Sequence, residues 1–91
     1  MFSQIDFNKI DRTYFDVLQL SGYHIILKSR NTKHIWDLYQ KETQVGKASI
    51  VISHKHNDTD PFHEQAQMHP KTVDEAQIMI KDHDEWHMKN R

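Results

Sequence analysis

The sequence predicts one small α+β domain: a three-stranded antiparallel meander with two helices packed on one face, in the order α-β-β-β-α. The chain has 91 residues, the length of a single domain. Apolar residues recur at helical spacing near both ends, and between them lie three short runs rich in branched and aromatic side chains. We therefore expect a single domain over residues 1–91, with both helices covering the same face of the sheet.

The first predicted element is a helix over about residues 7–20. Asp6 precedes it as an N-cap, and Gly22 follows it as a glycine that ends the helix in a left-handed conformation. The apolar residues that recur at helical spacing are Phe7, Ile10, Tyr14, Val17 and Leu18.

Three strands are predicted over residues 23–30, 35–39 and 48–53, separated by a turn at 31–33 and a polar loop at 41–46. Alternation along the strands assigns an apolar inner face made of Tyr23, Ile25, Leu27, Trp36, Leu38, Ile50 and Ile52. It also assigns an outer face that mixes basic and apolar side chains, namely His24, Ile26, Lys28, Arg30, Ile35, Tyr39, Lys47, Val51 and Lys55.

Residues 54–71 form a long, histidine-rich segment with several turn-forming residues. A structureless loop of this length is unusual, so the segment has a function, is mobile, or contains a short fourth strand near residues 62–67. A final helix follows, because Thr72 and Glu75 form a capping box. Its predicted inward residues are Val73, Ala76, Met79, Ile80, His83, Trp86 and His87, and its outer face is acidic, with Asp74, Glu75, Asp82 and Glu85.

The composition argues against several classes of protein. The chain has no cysteine, which excludes disulfides, thiolate metal sites and thiol catalysis. No apolar run approaches the roughly 18–20 residues of a membrane span, and the N-terminal residues lack a signal-peptide pattern. We therefore expect a cytoplasmic protein with no membrane contact. No nucleophile motif or cofactor motif is present, so we expect a non-enzymatic protein without a cofactor.

The outer sheet face is the predicted interaction surface, formed by Ile26, Lys28, Arg30, Ile35, Tyr39 and Val51. Four sizeable apolar side chains on a solvated face favour a cover, such as the long loop or a second subunit. The net charge also changes along the chain, from +4 over residues 21–57 to −4 over residues 58–91. We therefore predict a small interaction or regulatory protein that binds another macromolecule, either as a homodimer or with a protein partner.

Nucleic acid is an alternative partner for the same face. In that interpretation Tyr39 stacks on a base while Lys28, Arg30 and Lys47 contact phosphates. One exposed aromatic residue is few for such a surface, so this interpretation ranks below protein binding.

A metal site is the second alternative, because histidine is the outlier of the composition, with eight residues. His54 and His56 lie two positions apart and are followed by Asp58 and Asp60, a set of nitrogen and oxygen ligands suited to a divalent ion. We expect a site that uses His54 and His56 to lose its ion below about pH 6, where ordinary imidazoles become protonated.

A second pair of histidines, His83 and His87, lies one turn apart on the final helix. This is the spacing of the two zinc-binding histidines in zinc proteases, but no third ligand follows in the sequence. We therefore interpret both as ordinary hydrogen-bonded histidines at the edge of the core.

The predicted order of elements resembles that of double-stranded RNA-binding domains. Those domains carry a histidine in the first hairpin of the sheet, and His34 has a similar place before Trp36 and Leu38. Residues 31–33 replace the Gly-Pro that precedes that histidine, and the acidic segment 70–75 replaces the lysine-rich start of the last helix. Since those lysines supply most of the RNA affinity, the resemblance implies a topology alone.

Overall fold

The computed structural model describes residues 1–42 and 48–90 and has an α+β fold. Over these residues the elements run in the order α1 (Gln4–Asn8), β1 (Phe15–Leu20), β2 (His24–Ser29), β3 (Ile35–Glu42), β4 (Ala48–Lys55), β5 (His63–Glu64) and α2 (Val73–Lys89). The strands form one antiparallel sheet in the order β1-β2-β3-β4-β5. The predicted α+β class and meander are confirmed, and the sheet extends beyond the three predicted strands at both edges.

The predicted helix over residues 7–20 is wrong in extent. Helix α1 is short and begins at the Ser3 N-cap. Beyond it, the Asp11 carboxylate accepts hydrogen bonds from the backbone N–H and the hydroxyl of Thr13, which turns the chain into β1. In β1 the buried Phe15 is followed by an exposed residue, as expected of a strand. Short apolar runs fit both the helical period of about 3.6 residues and the strand period of about 2, so their spacing alone does not distinguish a helix from a strand.

The predicted inner face of the sheet forms the core, with Ile25, Leu27, Trp36, Leu38, Ile50 and Ile52 all buried. Tyr23 is the exception, because it precedes β2 and is 47% exposed. Helix α2 covers this face with Val73, Ala76 and Ile80, and α1 packs Phe7 against the same core. Both helices therefore lie on one face, as predicted.

Strand β5 lies within the predicted fourth-strand region, 62–67. It pairs with the end of β4, where His63 lies opposite His54. Because β1 precedes the predicted meander and β5 follows it, the described element order differs from that of double-stranded RNA-binding domains.

Helix α2 begins where the sequence predicts. The Thr72 hydroxyl accepts a hydrogen bond from the Glu75 N–H at 3.1 Å, while the Glu75 carboxylate accepts one from the Lys71 N–H. The predicted inward face is wrong at Trp86, which is 63% exposed, and it omitted Asp84, which is fully buried. Within the described parts of the chain, α2 included, no helix is long and apolar enough to cross a membrane.

Candidate metal centre

Five histidine side chains meet at one end of the sheet, and we call them the histidine cluster: His34, His54, His56, His83 and His87. His34 directly precedes β3, His54 lies in β4, and His56 directly follows β4. Alternation along an extended chain places residues two apart on the same side, which brings His54 and His56 together. Residues four apart on a helix share a face, which aims His83 and His87 of α2 at the sheet.

The sheet side of the cluster consists of His34, His54 and His56. Each offers a nitrogen atom, and the three atoms lie within 4.8 Å of one another. The Nε2 of His54 is 3.0 Å from the Nδ1 of His34, and the rings of His34 and His56 stack with centroids 4.2 Å apart. His34 and His54 are buried, whereas His56 is exposed. Three imidazoles therefore converge, and one of them reaches solvent.

The helix side of the cluster faces these three rings. The ring of His87 lies 4.6 Å from that of His34, and the ring of His83 lies 5.2 Å from that of His54. The Nδ1 of His83 is buried and has no hydrogen-bond partner among the described residues. His83 also belongs to a second set of ligand atoms within 4.8 Å of one another, completed by His34 and Asp84.

The interior of the cluster favours neutral imidazoles. Burial, reinforced by the neighbouring histidines, lowers the pKa of His34 to about 4 and the pKa of His54 to about 3. Burial also lowers the pKa of His83, although the adjacent Asp84 carboxylate opposes that effect. A neutral imidazole has a nitrogen lone pair free to bind a metal ion, so these side chains are in their ligand form at pH 7.

A buried carboxylate adjoins the cluster. Asp84 accepts hydrogen bonds from the hydroxyls of Ser29 at 2.6 Å, Tyr14 at 2.7 Å and Thr32 at 3.0 Å. The Ser29 hydroxyl in turn accepts one from the indole N–H of Trp36 at 3.1 Å. Desolvation and the hydrogen bond to Asp84 raise the pKa of the Tyr14 hydroxyl. This network fixes α2 against the hairpin that joins β2 to β3.

The donor set determines which ions the cluster suits. Several imidazoles with a nearby carboxylate, and no thiolate in the chain, form a nitrogen-rich site of borderline softness. Such sites favour Zn²⁺, Ni²⁺, Cu²⁺ and Co²⁺ over Ca²⁺ and Mg²⁺, which prefer oxygen ligands.

The two histidines predicted as metal ligands do lie together, but with different partners. Asp58 and Asp60 are exposed and belong to neither ligand set among the described residues. From the sequence, His34 is predicted in a hairpin without a role in a site, and His83 and His87 are predicted as residues at the edge of the core. The sequence feature that could have indicated the larger cluster is the pair His83 and His87, one turn apart, in a chain with eight histidines.

The outer sheet face presents less apolar surface than predicted. Ile35 is only 2% exposed, and it lies between Lys28 and Lys55 on the neighbouring strands. Ile26 and Val51 are half-buried. The exposed apolar part of this face is therefore reduced.

The charge of the outer face is mixed. Arg30 forms an ion pair with Asp16 at 2.9 Å, and His24 contacts Asp37 at the same distance. Lys47, predicted to contact phosphates, lies outside the described residues. The described part of this face therefore alternates basic and acidic groups.

No protein-family model, no curated protein and no solved structure matches this chain.

Proposed function

We propose that this protein binds a divalent transition-metal ion at the histidine cluster. The observation that supports the proposal is the convergence of His34, His54 and His56, whose nitrogen atoms lie within 4.8 Å of one another. Nitrogens that share a tetrahedral ion at the usual bond length of about 2.0–2.1 Å lie about 3.3 Å apart. The nitrogen atoms are therefore close enough to share an ion once the stacked rings of His34 and His56 turn their lone pairs toward it.

His56 is the entry point for the ion. It is exposed, whereas His34 and His54 are buried behind it. An ion that meets His56 first exchanges its waters for imidazole nitrogens one at a time, and the buried rings complete the set. Because the buried His54 ring is held against Trp36, this ligand loses little conformational freedom on binding.

The test is calorimetry with Zn²⁺ and Ni²⁺ at pH 7.5, comparing the wild type with His56→Ala. The matched control is His69→Ala, which removes an exposed histidine from the same segment, 54–71, outside the cluster. We expect saturable binding by the wild type and the control, and binding at least about tenfold weaker in His56→Ala. Absence of saturable binding by the wild type would overturn the proposal, as would equal affinities in all three proteins.

A second candidate function is macromolecular binding through the outer sheet face, as a non-enzymatic interaction protein in the cytoplasm. It is favoured by Tyr39, which is 38% exposed, next to the half-buried Ile26 and Val51.

Light scattering at micromolar concentration tests whether the protein is a homodimer, and Tyr39→Glu is expected to dissociate the dimer. If the protein is a monomer at all concentrations, the homodimer is excluded, and the remaining partners for this face are a different protein or nucleic acid. Binding of a labelled oligonucleotide that weakens in Arg30→Glu and at higher salt identifies nucleic acid.

A further inference from the structure

We propose that His34, His83 and Asp84 form an inner coordination position, and that an ion bound there links α2 to the sheet. The proposal rests on the proposed function, because His34 belongs to both ligand sets. The two sets differ in what they connect. The set with His54 and His56 lies on the sheet side alone, whereas this inner set joins the sheet side to the helix.

The first argument is the orphaned nitrogen of His83. Its Nδ1 is buried and has no hydrogen-bond partner among the described residues. A buried polar atom without a partner costs about 1–3 kcal/mol, so native proteins rarely leave one. His83 belongs to the inner set, and a metal ion held by its Nδ1 would supply the missing partner.

The second argument is the charge of Asp84. The carboxylate is fully buried and receives three hydrogen bonds, all from neutral hydroxyls. Among the described residues it forms no ion pair with a lysine or arginine. A buried anion without a cation is costly, and a divalent ion beside it supplies the missing positive charge.

The third argument is the free acceptor position on Asp84. A carboxylate offers about four lone-pair positions. Two hydrogen bonds, from Tyr14 and Ser29, fall on Oδ2, but only the one from Thr32 falls on Oδ1. The Oδ1 atom therefore has capacity for one further partner, and this carboxylate belongs to the set whose ligand atoms lie within 4.8 Å of one another.

The position matters because apolar packing ends halfway along α2. The buried apolar residues of the helix are Val73, Ala76 and Ile80, and beyond Ile80 the buried group is Asp84. Trp86 and Met88 are exposed. Polar contacts therefore dominate where the C-terminal half of α2 meets the sheet. An ion bound by His34, His83 and Asp84 stabilises the packing of this half of the helix on the sheet.

The experiment measures amide hydrogen exchange over residues 81–89 with and without Zn²⁺. The diagnostic variant is His83→Phe, which retains a ring against Trp36 but has no ring nitrogen. Asp84→Asn is the second variant, and it keeps one acceptor oxygen for the hydroxyls. His69→Ala is the matched control, because it removes an exposed histidine that belongs to neither ligand set. Circular dichroism of each metal-free variant verifies that it is folded.

We expect Zn²⁺ to slow exchange over residues 81–89 by at least about tenfold in the wild type and in His69→Ala. We expect no slowing in His83→Phe or Asp84→Asn, even where Zn²⁺ still binds to the sheet side. Equal slowing of amide exchange in the wild type and His83→Phe would overturn the inner position. Zn²⁺ that binds the wild type without slowing exchange over residues 81–89 would overturn it as well. Both results leave the proposed function intact, since they presuppose a bound ion. A wild type that binds no ion removes both proposals.

Discussion

The Nε2 of His54 lies 3.0 Å from the Nδ1 of His34, although both rings are buried and belong to separate segments of the chain. In this contact one nitrogen donates a proton and the other accepts it. An ion placed between them requires both to present lone pairs, which a neutral imidazole achieves by moving its proton to the other ring nitrogen. The two nitrogen atoms are thus close to the separation that a shared ion requires.

This contact predicts how metal binding depends on pH. The sequence alone predicts that a site with His54 and His56 loses its ion below about pH 6, and the lowered pKa values change that prediction. Because the pKa of His34 is lowered to about 4 and that of His54 to about 3, both stay neutral at pH 5. We therefore expect measurable Zn²⁺ binding by calorimetry at pH 5.5, and little proton release from these two ligands at pH 7. Binding by His56→Ala, which lacks the exposed ligand, that is present at pH 7 but lost at pH 6 would show that the buried histidines are not ligands.

The same lowered pKa values predict acid sensitivity of the metal-free protein. In the unfolded chain His34 and His54 take up protons near pH 6.5, whereas in the folded protein they do so only near pH 4 and pH 3. The free energy of unfolding should therefore fall as the pH falls below about 6.5, by about 1.4 kcal/mol per pH unit for each histidine, until the folded pKa is reached.

Urea denaturation between pH 7 and pH 5 measures this slope. Most carboxyl groups titrate near pH 4, so this window isolates the histidines. His54→Phe, which retains a ring against Trp36 but cannot be protonated, should reduce the slope, while the exposed control His69→Ala should not. A slope that is flat from pH 7 to pH 5 in the wild type contradicts the prediction.

The sheet interior was predictable because its alternation is strict. In β2, Ile25 and Leu27 are buried and their neighbours are only half-buried, as expected of a strand that is covered on one face. The first element was not predictable in the same way. Leu18 fitted a helical stripe, but it is exposed and lies at a register shift in β1, where the pairing with β2 skips it.

The candidate site was only partly predictable, for a physical reason. The pair His54 and His56 is visible locally because strand geometry places both on one side. The convergence of His34 with α2 depends on how the helix crosses the sheet, which no local pattern encodes. The burial of Asp84 depends on that crossing as well. The inward face of α2 therefore includes Asp84 and not Trp86, which the sequence predicted.

The exposure of Trp86 predicts a small effect of its removal on stability. Because the side chain is 63% exposed, Trp86→Ala should change the free energy of unfolding by no more than about 0.5 kcal/mol. Ile80→Ala, at a fully buried position on the same helix, should cost about 2–5 kcal/mol. Urea denaturation of both variants at pH 7.5 makes the comparison, and equal destabilisation would place Trp86 inside the core.

The other tryptophan provides an optical test of where the ion binds. The indole of Trp36 stacks on the ring of His54 at 4.1 Å and contacts the ring of His83 edge-on at 5.2 Å. Paramagnetic Cu²⁺ and Ni²⁺ quench indole fluorescence at such short range, whereas Zn²⁺, with a filled d shell, does not quench by that route. We therefore expect saturable quenching of Trp36 by Cu²⁺ in a Trp86→Phe background, in which Trp36 is the one remaining tryptophan.

Two controls assign that signal to the histidine cluster. Prior addition of Zn²⁺ should shift the Cu²⁺ titration to higher concentration, because both ions compete for the same nitrogen atoms and Cu²⁺ is the tighter binder. His56→Ala should shift the Cu²⁺ titration to at least about tenfold higher concentration, while His69→Ala should leave it unchanged. Cu²⁺ titrations that coincide in the wild type and His56→Ala would show that Cu²⁺ does not bind the set of His34, His54 and His56. A Cu²⁺ titration that prior Zn²⁺ does not shift would show that the two ions bind at different places.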